Sequence, residues 1–400
     1  MKRLGSALLV VGVVSLSSAC SHSAGGETSA HTSGASGPQG VALKLGVIAE
    51  GSGVGAQLAN VSAGAKAAAQ AINAAGGIDG RPVEIDTCDT NNNPNDAAAC
   101  ARKMVSDGIV ALVGSATQYG ANVLPVLSSA HIASIGQIAV TSADLTNKNG
   151  FPLAPVGIDA AAGPPDLLAR SGATQISLAR VDVSGTAALA QLTALGLAPH
   201  KLTLQGDVAV PPNVPDMSSY VASATGKGQD GIALILPPPD LVKFVRAAKA
   251  AGFKGMMATG ASGIQQLLNQ KFGSTLEGLY LVDVARPASD TSDASVAGMV
   301  KQIRAVDPNV VIDYTVEDAW ASVKLFAKAA TGLTKIDAPS VLAALPTVTD
   351  FETGVFPRID FSKPLTGIPG LHVFNPDVFY EQIKNGAIVP VSGSFVQLLS

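Results

Sequence analysis

Charge is scarce in this 400-residue chain. Asp, Glu, Lys and Arg make up 14% of it, against about 25% in an average soluble protein. The formal net charge is −4 at pH 7, so no basic excess is available to hold a phosphate backbone, and nucleic acid is excluded as a partner. Alanine and glycine fill much of the gap, and the mean hydropathy is +0.33. That value would suit a membrane protein. Beyond the first twenty residues, however, no apolar run approaches the ~20 residues that a helical span requires. Catalytic signatures are also missing. Gly260-Ala261-Ser262-Gly263 stops short of a nucleophile elbow, because Ile264 stands where the last glycine belongs. His131, His200 and His372 are far apart and lack metal-ligand spacing. They read as structural histidines. No metal, cofactor or enzymatic activity is expected.

Cysteine is rare as well, with three in the chain, at positions 20, 88 and 100. The first closes a leader. Met1-Lys2-Arg3 is a short positive head, an uncharged and mostly apolar run follows from Leu4 to Leu16, and Ser17-Ser18-Ala19 precedes Cys20. Such a segment is a secretory signal, too short to span a bilayer. A cysteine directly after small residues is the pattern of a bacterial lipoprotein, so residues 1–19 are expected to be removed and Cys20 acylated. The alternative is an ordinary cleaved signal with an incidental cysteine. Residues 20–40, rich in Ser, Gly, Ala and Thr, cannot bury enough apolar surface to offset their ordering entropy, and they read as a flexible tether. Cys88 and Cys100 are an even pair in an exported chain, which predicts a disulfide.

The remainder is long enough for two domains. LKLGVIA is a short apolar run, VSAGAKAAAQAINAAGG an alanine-rich helix with a glycine stop, and PVEIDTCDT, NPNDAAACARKMVSDG and IVALVGSAT continue the alternation. Strands alternating with helices at this spacing imply parallel βαβ units. After a Pro/Gly-rich gap, QISLARVD opens a second series that runs through GIALILPPP and LVKFVRAAKAAGFKG to MMATGAS. The predicted fold class is α/β, with two doubly wound parallel-sheet lobes. In open sheets ligands sit beyond the carboxyl ends of the strands, and two such edges can face each other.

Gly51-Ser52-Gly53-Val54-Gly55-Ala56 matches a dinucleotide fingerprint on paper, but glycine is abundant and the exported address argues against a nicotinamide cofactor. A tight turn is the better reading. The loops that end later strands carry more information. Gln118 and Tyr119 lead into a helix, and Ala139, Val140, Thr141 and Ser142 end the next strand in the same manner. There N–H groups and hydroxyls can converge on an acceptor, although plain helix capping explains them too.

The chain resembles the leucine/isoleucine/valine-binding family of type I periplasmic binding proteins, receptors of branched-chain amino acid ABC importers. The most specific run is Ala71-Ile72-Asn73-Ala74-Ala75-Gly76-Gly77-Ile78-Asp79-Gly80-Arg81. Asn93-Pro94-Asn95-Asp96-Ala97, Asp107-Gly108-Ile109-Val110-Ala111-Leu112-Val113-Gly114, Asp216-Met217-Ser218 and Ala247-Ala248-Lys249-Ala250-Ala251-Gly252-Phe253 add to it. The resemblance implies two lobes joined by a hinge, 41–157 with 284–365 and 158–283 with 366–400. It implies a small-molecule ligand between them, an ABC permease as partner and a membrane reached through the lipid anchor. A sensor that signals rather than transports is the alternative.

The same resemblance implies ligand contacts at Gln118, Tyr119, Ala139, Val140 and Thr141 in one lobe and Ser184, Pro237 and Ala261 in the other. Departures stand out. The family's acid for a ligand ammonium falls at Ala261, and its aromatic positions fall at Leu58, Ser184 and Pro237. An unpaired ammonium in a closed cleft is costly. Glu50, Asp182 and Glu317 are candidates to replace the acid, against the plainer reading of solvated surface acids. Pro237-Pro238-Pro239 predicts a rigid strand end without N–H donors. The expected ligand is therefore an organic acid or a neutral apolar compound.

Overall fold

A computed structural model describes residues 38–51, 57–139, 141–154, 157–183, 189–226, 228–365 and 370–398. Cys20, most of the 51–56 glycine run, Val140 and Ser184 lie outside the described residues.

The first sheet is built from β1 (Leu43–Ala49), β2 (Val83–Asp89), β3 (Ala111–Val113), β4 (Ala133–Ile135) and β5 (Gly150–Phe151). Its order is β2-β1-β3-β4-β5, and all its pairings are parallel. The crossovers are α1 (Leu58–Ala74), α2 (Pro94–Ser106), α3 (Gly120–Ser129) and the short α4 (Ser142–Thr146). β1 reads as an apolar run because it is buried on both faces, with Leu43, Leu45, Val47 and Ile48 fully inaccessible. Helix α2 starts where Pro94 follows Asn93, whose side chain accepts from the Asn95 and Asp96 amides. A disulfide joins Cys88 in β2 to Cys100 in α2, with a Cα–Cα distance of 5.6 Å.

The second sheet begins after α5 (Ile158–Arg170), with β6 (Ile176–Val181), α6 (Leu189–Leu197), β7 (Asp207–Val210), α7 (Ser218–Thr225) and β8 (Gly231–Ile235). It continues with α8 (Pro238–Ala250), β9 (Met256–Gly260), α9 (Ile264–Asn269), α10 (Gly273–Leu276) and β10 (Tyr280–Asp283). The chain then forms α11 (Ala294–Val306), α12 (Tyr314–Ala330) and α13 (Ala338–Ala344), and ends in β11 (Asp377–Lys384), β12 (Ala387–Pro390) and β13 (Val396–Gln397). The sheet order is β12-β11-β10-β9-β8-β6-β7, with β13 on β11.

Two lobes result. Helices α11–α13 return to the first one: Val296, Trp320, Phe326 and Val341 share a core with Leu43, Val61 and Val113. Two glycines let α12 approach that sheet. Gly114 (φ 52°) and Gly136 (φ 60°) have left-handed backbones, and a Cβ on them would strike Ala319 and Ser322 of α12. The second lobe has its own core around Ile232, Leu234, Phe244, Val245 and Leu281. The chain turns back to the first core at Val284, and Phe374 still packs there before β11 joins the second sheet.

Three expectations need correction. The second sheet is mixed rather than parallel, since β11 runs antiparallel to both β10 and β12. The Pro/Gly-rich gap contains helix α5, which carries Pro164 and Pro165 in its interior. Burial of almost the whole helix compensates for the two missing N–H donors, and Gly163 lets it sit against Val282. The three prolines are not a strand end: Pro237 precedes α8 and its carbonyl accepts from the Asp240 and Leu241 amides, a position where a missing N–H costs nothing.

Candidate functional site

The strand-end loops of the first lobe are tied inward. The Ser115 hydroxyl accepts from the Ile48 amide at 2.9 Å. One Glu50 oxygen accepts from the Thr117 hydroxyl at 2.8 Å and from the Gln118 amide at 3.0 Å. Thr141 opens α4, and both its amide and its hydroxyl donate to Asp144 at 2.7 Å. Gly120, at the start of α3, faces these two side chains closely, which brings the two loops together. The consequence is chemical. The Thr117 and Thr141 hydroxyl protons are committed to carboxylates, so these oxygens present lone pairs and not donors.

A cavity of about 140 Å³ lies where the lobes join, lined by Gly157, Asp159, Ala160, Gly260, Ala261, Ser262, Val282, Asp283, Val284 and Tyr314. The start of α5 and the ends of β9 and β10 form its second-lobe wall, and Tyr314 at the start of α12 closes it from the first lobe. The Ala139 carbonyl stands 3.7 Å from where a Cβ on Gly157 would be, so the β4 loop reaches the same corner. Gly157 needs its freedom, with φ 93°.

The cavity is acidic. Asp159 accepts from the Gly157 amide at 2.7 Å, and burial pushes its carboxyl up to about 6. Asp283 accepts from its neighbour Val284 N–H at 2.6 Å; burial first, then Asp159 and Asp313, push it up to about 7. Asp313 caps α12, accepting from Thr315 and Val316, and burial raises it too. Glu317 and Glu381 are 2% and 0% exposed, and both are raised well above the usual carboxylate range, Glu317 by burial and then by Asp283 and Asp313, Glu381 by burial and then by Asp283 and Glu317. Glu317 Oε1 and both Glu381 carboxylate oxygens have no hydrogen-bond partner.

The sequence-predicted residues separate into groups. Ala261 lines the cavity and Ala139 borders it. Gln118 and Pro237 are exposed on loops of opposite lobes, and neither lines the cavity. Tyr119 points elsewhere: its hydroxyl donates to the Asn92 carbonyl at 2.6 Å, and the residue packs against the core cluster that contains Met104 and Val123. Of the candidate replacement acids, Asp182 is exposed, Glu50 binds the Thr117–Gln118 loop, and Glu317 is buried rather than solvated. The acids that do line the cavity, Asp159 and Asp283, escaped sequence reasoning. Asp283 directly follows the apolar run Leu279–Val282, a local signal that does not set it apart from an ordinary strand-end acid. Among the described residues no group of His, Cys, Asp and Glu has the geometry of a metal site.

A two-lobed α/β body with a cavity at the junction defines a ligand-binding class, and comparison places it. A family model described as periplasmic binding protein matches residues 42–371, and the chain belongs to that family. The fold is that of type I periplasmic binding proteins of the leucine/isoleucine/valine-binding group. A possible leucine/isoleucine/valine-binding protein from Rhodopirellula baltica SH 1 superposes with a TM-score of 0.72 at 16% identity, over 90% of this chain and 98% of that one. The branched-chain amino acid transporter substrate-binding protein LivJ from Streptococcus pneumoniae, solved with isoleucine, gives 0.70 at 19% identity, over 89% and 99%. A fatty acid ABC transporter substrate-binding protein from Thermomonospora curvata gives 0.71 at 17% identity, over 89% and 92%. No curated protein matches the chain in sequence. Among the described residues no helix is long and apolar enough to cross a membrane.

Proposed function

We propose that this chain is a lipid-anchored extracytoplasmic receptor that captures a small organic solute and delivers it to an ABC permease. The observation that carries this reading is the junction cavity, walled by Ala160, Ala261 and Asp283 on one side and Tyr314 on the other. Residues 1–19 serve as the signal, Cys20 as the anchor and 20–40 as the tether. The lobes, 41–157 with 284–365 and 158–283 with 366–400, close on the ligand, whose preference for the closed form shifts the population. Gln118, Thr141 and Pro237 then approach it from the rims. Relatives of the same fold support a transport role: one was solved with isoleucine and another serves a fatty acid transporter. Spin labels on Asn122→Cys and Pro239→Cys, exposed on opposite lobes, test hinge closure. Small molecules extracted from the host should shorten the label distance, and a distance unchanged by every fraction would refute closure.

A further inference from the structure

We propose that the first lobe binds one internal water between Ser134 and Gln137, and that this water holds the loop after β4 in place. A second, much smaller cavity of about 10 Å³ lies where the loops after β3 and β4 meet. Ile48, Leu112 and Val123 form its apolar side, and Ser134, Gln137 and Asp144 belong to its polar side. Its size is close to the roughly 10–15 Å³ that one water needs, and far too small for an organic solute. The water site stands apart from the receptor reading above. Only its effect on ligand capture rests on that reading.

Two atoms of this lining have no partner within the protein. Ser134 is 2% exposed and its Oγ makes no hydrogen bond; Gln137 is 3% exposed and its Oε1 makes none. The Gln137 amide has one possible orientation. The Asp144 carbonyl can only accept, so Nε2 faces it at 2.8 Å and Oε1 is left as a pure acceptor. Gly150 packs on the same amide so closely that a Cβ there would strike it. Ser134 is the middle residue of β4. Its neighbours Ala133 and Ile135 belong to the first core, whereas Ser134 lies in the layer of Ile48, Leu112 and Val123. An aliphatic side chain would fill that layer, and serine instead brings a hydroxyl that must be satisfied. Buried polar groups without partners are costly. One water answers both, accepting from the Ser134 hydroxyl and donating to Gln137 Oε1. The link reaches the rim of the cleft, because Gln137 is two residues before Ala139 and is bonded to Asp144, which takes both donors of Thr141.

A crystal structure of the chain that shows ordered water tests the site directly. One isolated density peak should lie about 2.7–3.0 Å from both Ser134 Oγ and Gln137 Oε1. Ser134→Thr supplies a test in solution, because its added methyl fills the cavity and keeps the hydroxyl. Displacing a bound water leaves Gln137 Oε1 unpaired, so the urea midpoint should fall; filling a dry void would raise it. Oxygen-17 relaxation dispersion should count one long-lived water fewer in the variant. Amide exchange at Thr141 and Asp144 should quicken about tenfold or more, with the β1 amides unchanged. An empty cavity in the crystal, or contacts of about 2.3–2.6 Å that mark a bound cation, would overturn the proposal. A raised midpoint, or an undiminished count of long-lived waters, would overturn it too. A water in place in a chain that retains no solute would leave this site standing and count against the receptor reading alone.

Discussion

Replacing Asp159 by asparagine should stabilise the ligand-free protein, and only above the pH at which the carboxyl ionises. Asp159 is 7% exposed, and its carboxyl rises from 3.8 to about 6 because burial penalises the charge. A carboxyl whose folded pKa lies above its unfolded one binds its proton more tightly in the folded chain. Its cost is therefore absent below about pH 4, enters as pH rises towards about 6, and is complete above that. A rise of about two pKa units corresponds to roughly 3 kcal/mol. Asparagine keeps the oxygen that accepts from the Gly157 amide and carries no charge. Urea unfolding of both proteins across this range should show equal stability near pH 4. The gap in favour of Asp159→Asn should grow to roughly 3 kcal/mol by pH 8. Relief of the neighbouring Asp283, which Asp159 also raises, acts in the same direction. A variant less stable than the parent at pH 8, or a gap independent of pH, would refute the account of this acid as buried and uncompensated.

The Cys88–Cys100 bridge closes a short loop between β2 and α2. Thiol titration of the unfolded, unreduced protein should find neither free, and the double alanine variant should lose about 3 kcal/mol in denaturant unfolding. Gly136→Ala should destabilise the first lobe by more than about 1 kcal/mol, since it combines a left-handed backbone with a clash on Ser322; an unchanged midpoint would show that α12 can shift. Cys20→Ala should move the protein from the membrane fraction to the soluble one, with the acyl mass lost. Retention in the membrane would remove the lipid anchor from the account.

Much of the fold is legible because its elements are local and strongly patterned. β1 is an apolar run, α1 an alanine-rich helix stopped by glycine, and the pair Cys88 and Cys100 sits at a spacing that one strand and one helix can join. Helix α5 is not legible, because Pro164 and Pro165 oppose a helix locally and only tertiary burial outweighs them. The antiparallel strands at the end of the chain are settled by pairing with β10, a partner about a hundred residues away. The site divides in the same way. Ala261 could be placed because the resemblance carries its position. Asp159 and Asp283 look like ordinary acids in the sequence, and only the fold brings both into the lining of one cavity.

The central claim is that a small molecule occupies the junction between the lobes. Native mass spectrometry of the chain purified from its own host tests this most directly, comparing the parent with Ala261→Trp, whose side chain would fill the roughly 140 Å³ cavity. The account predicts one small molecule per parent chain, released on unfolding, and little or none on the variant. Equal occupancy on both proteins, or none on either, would contradict it.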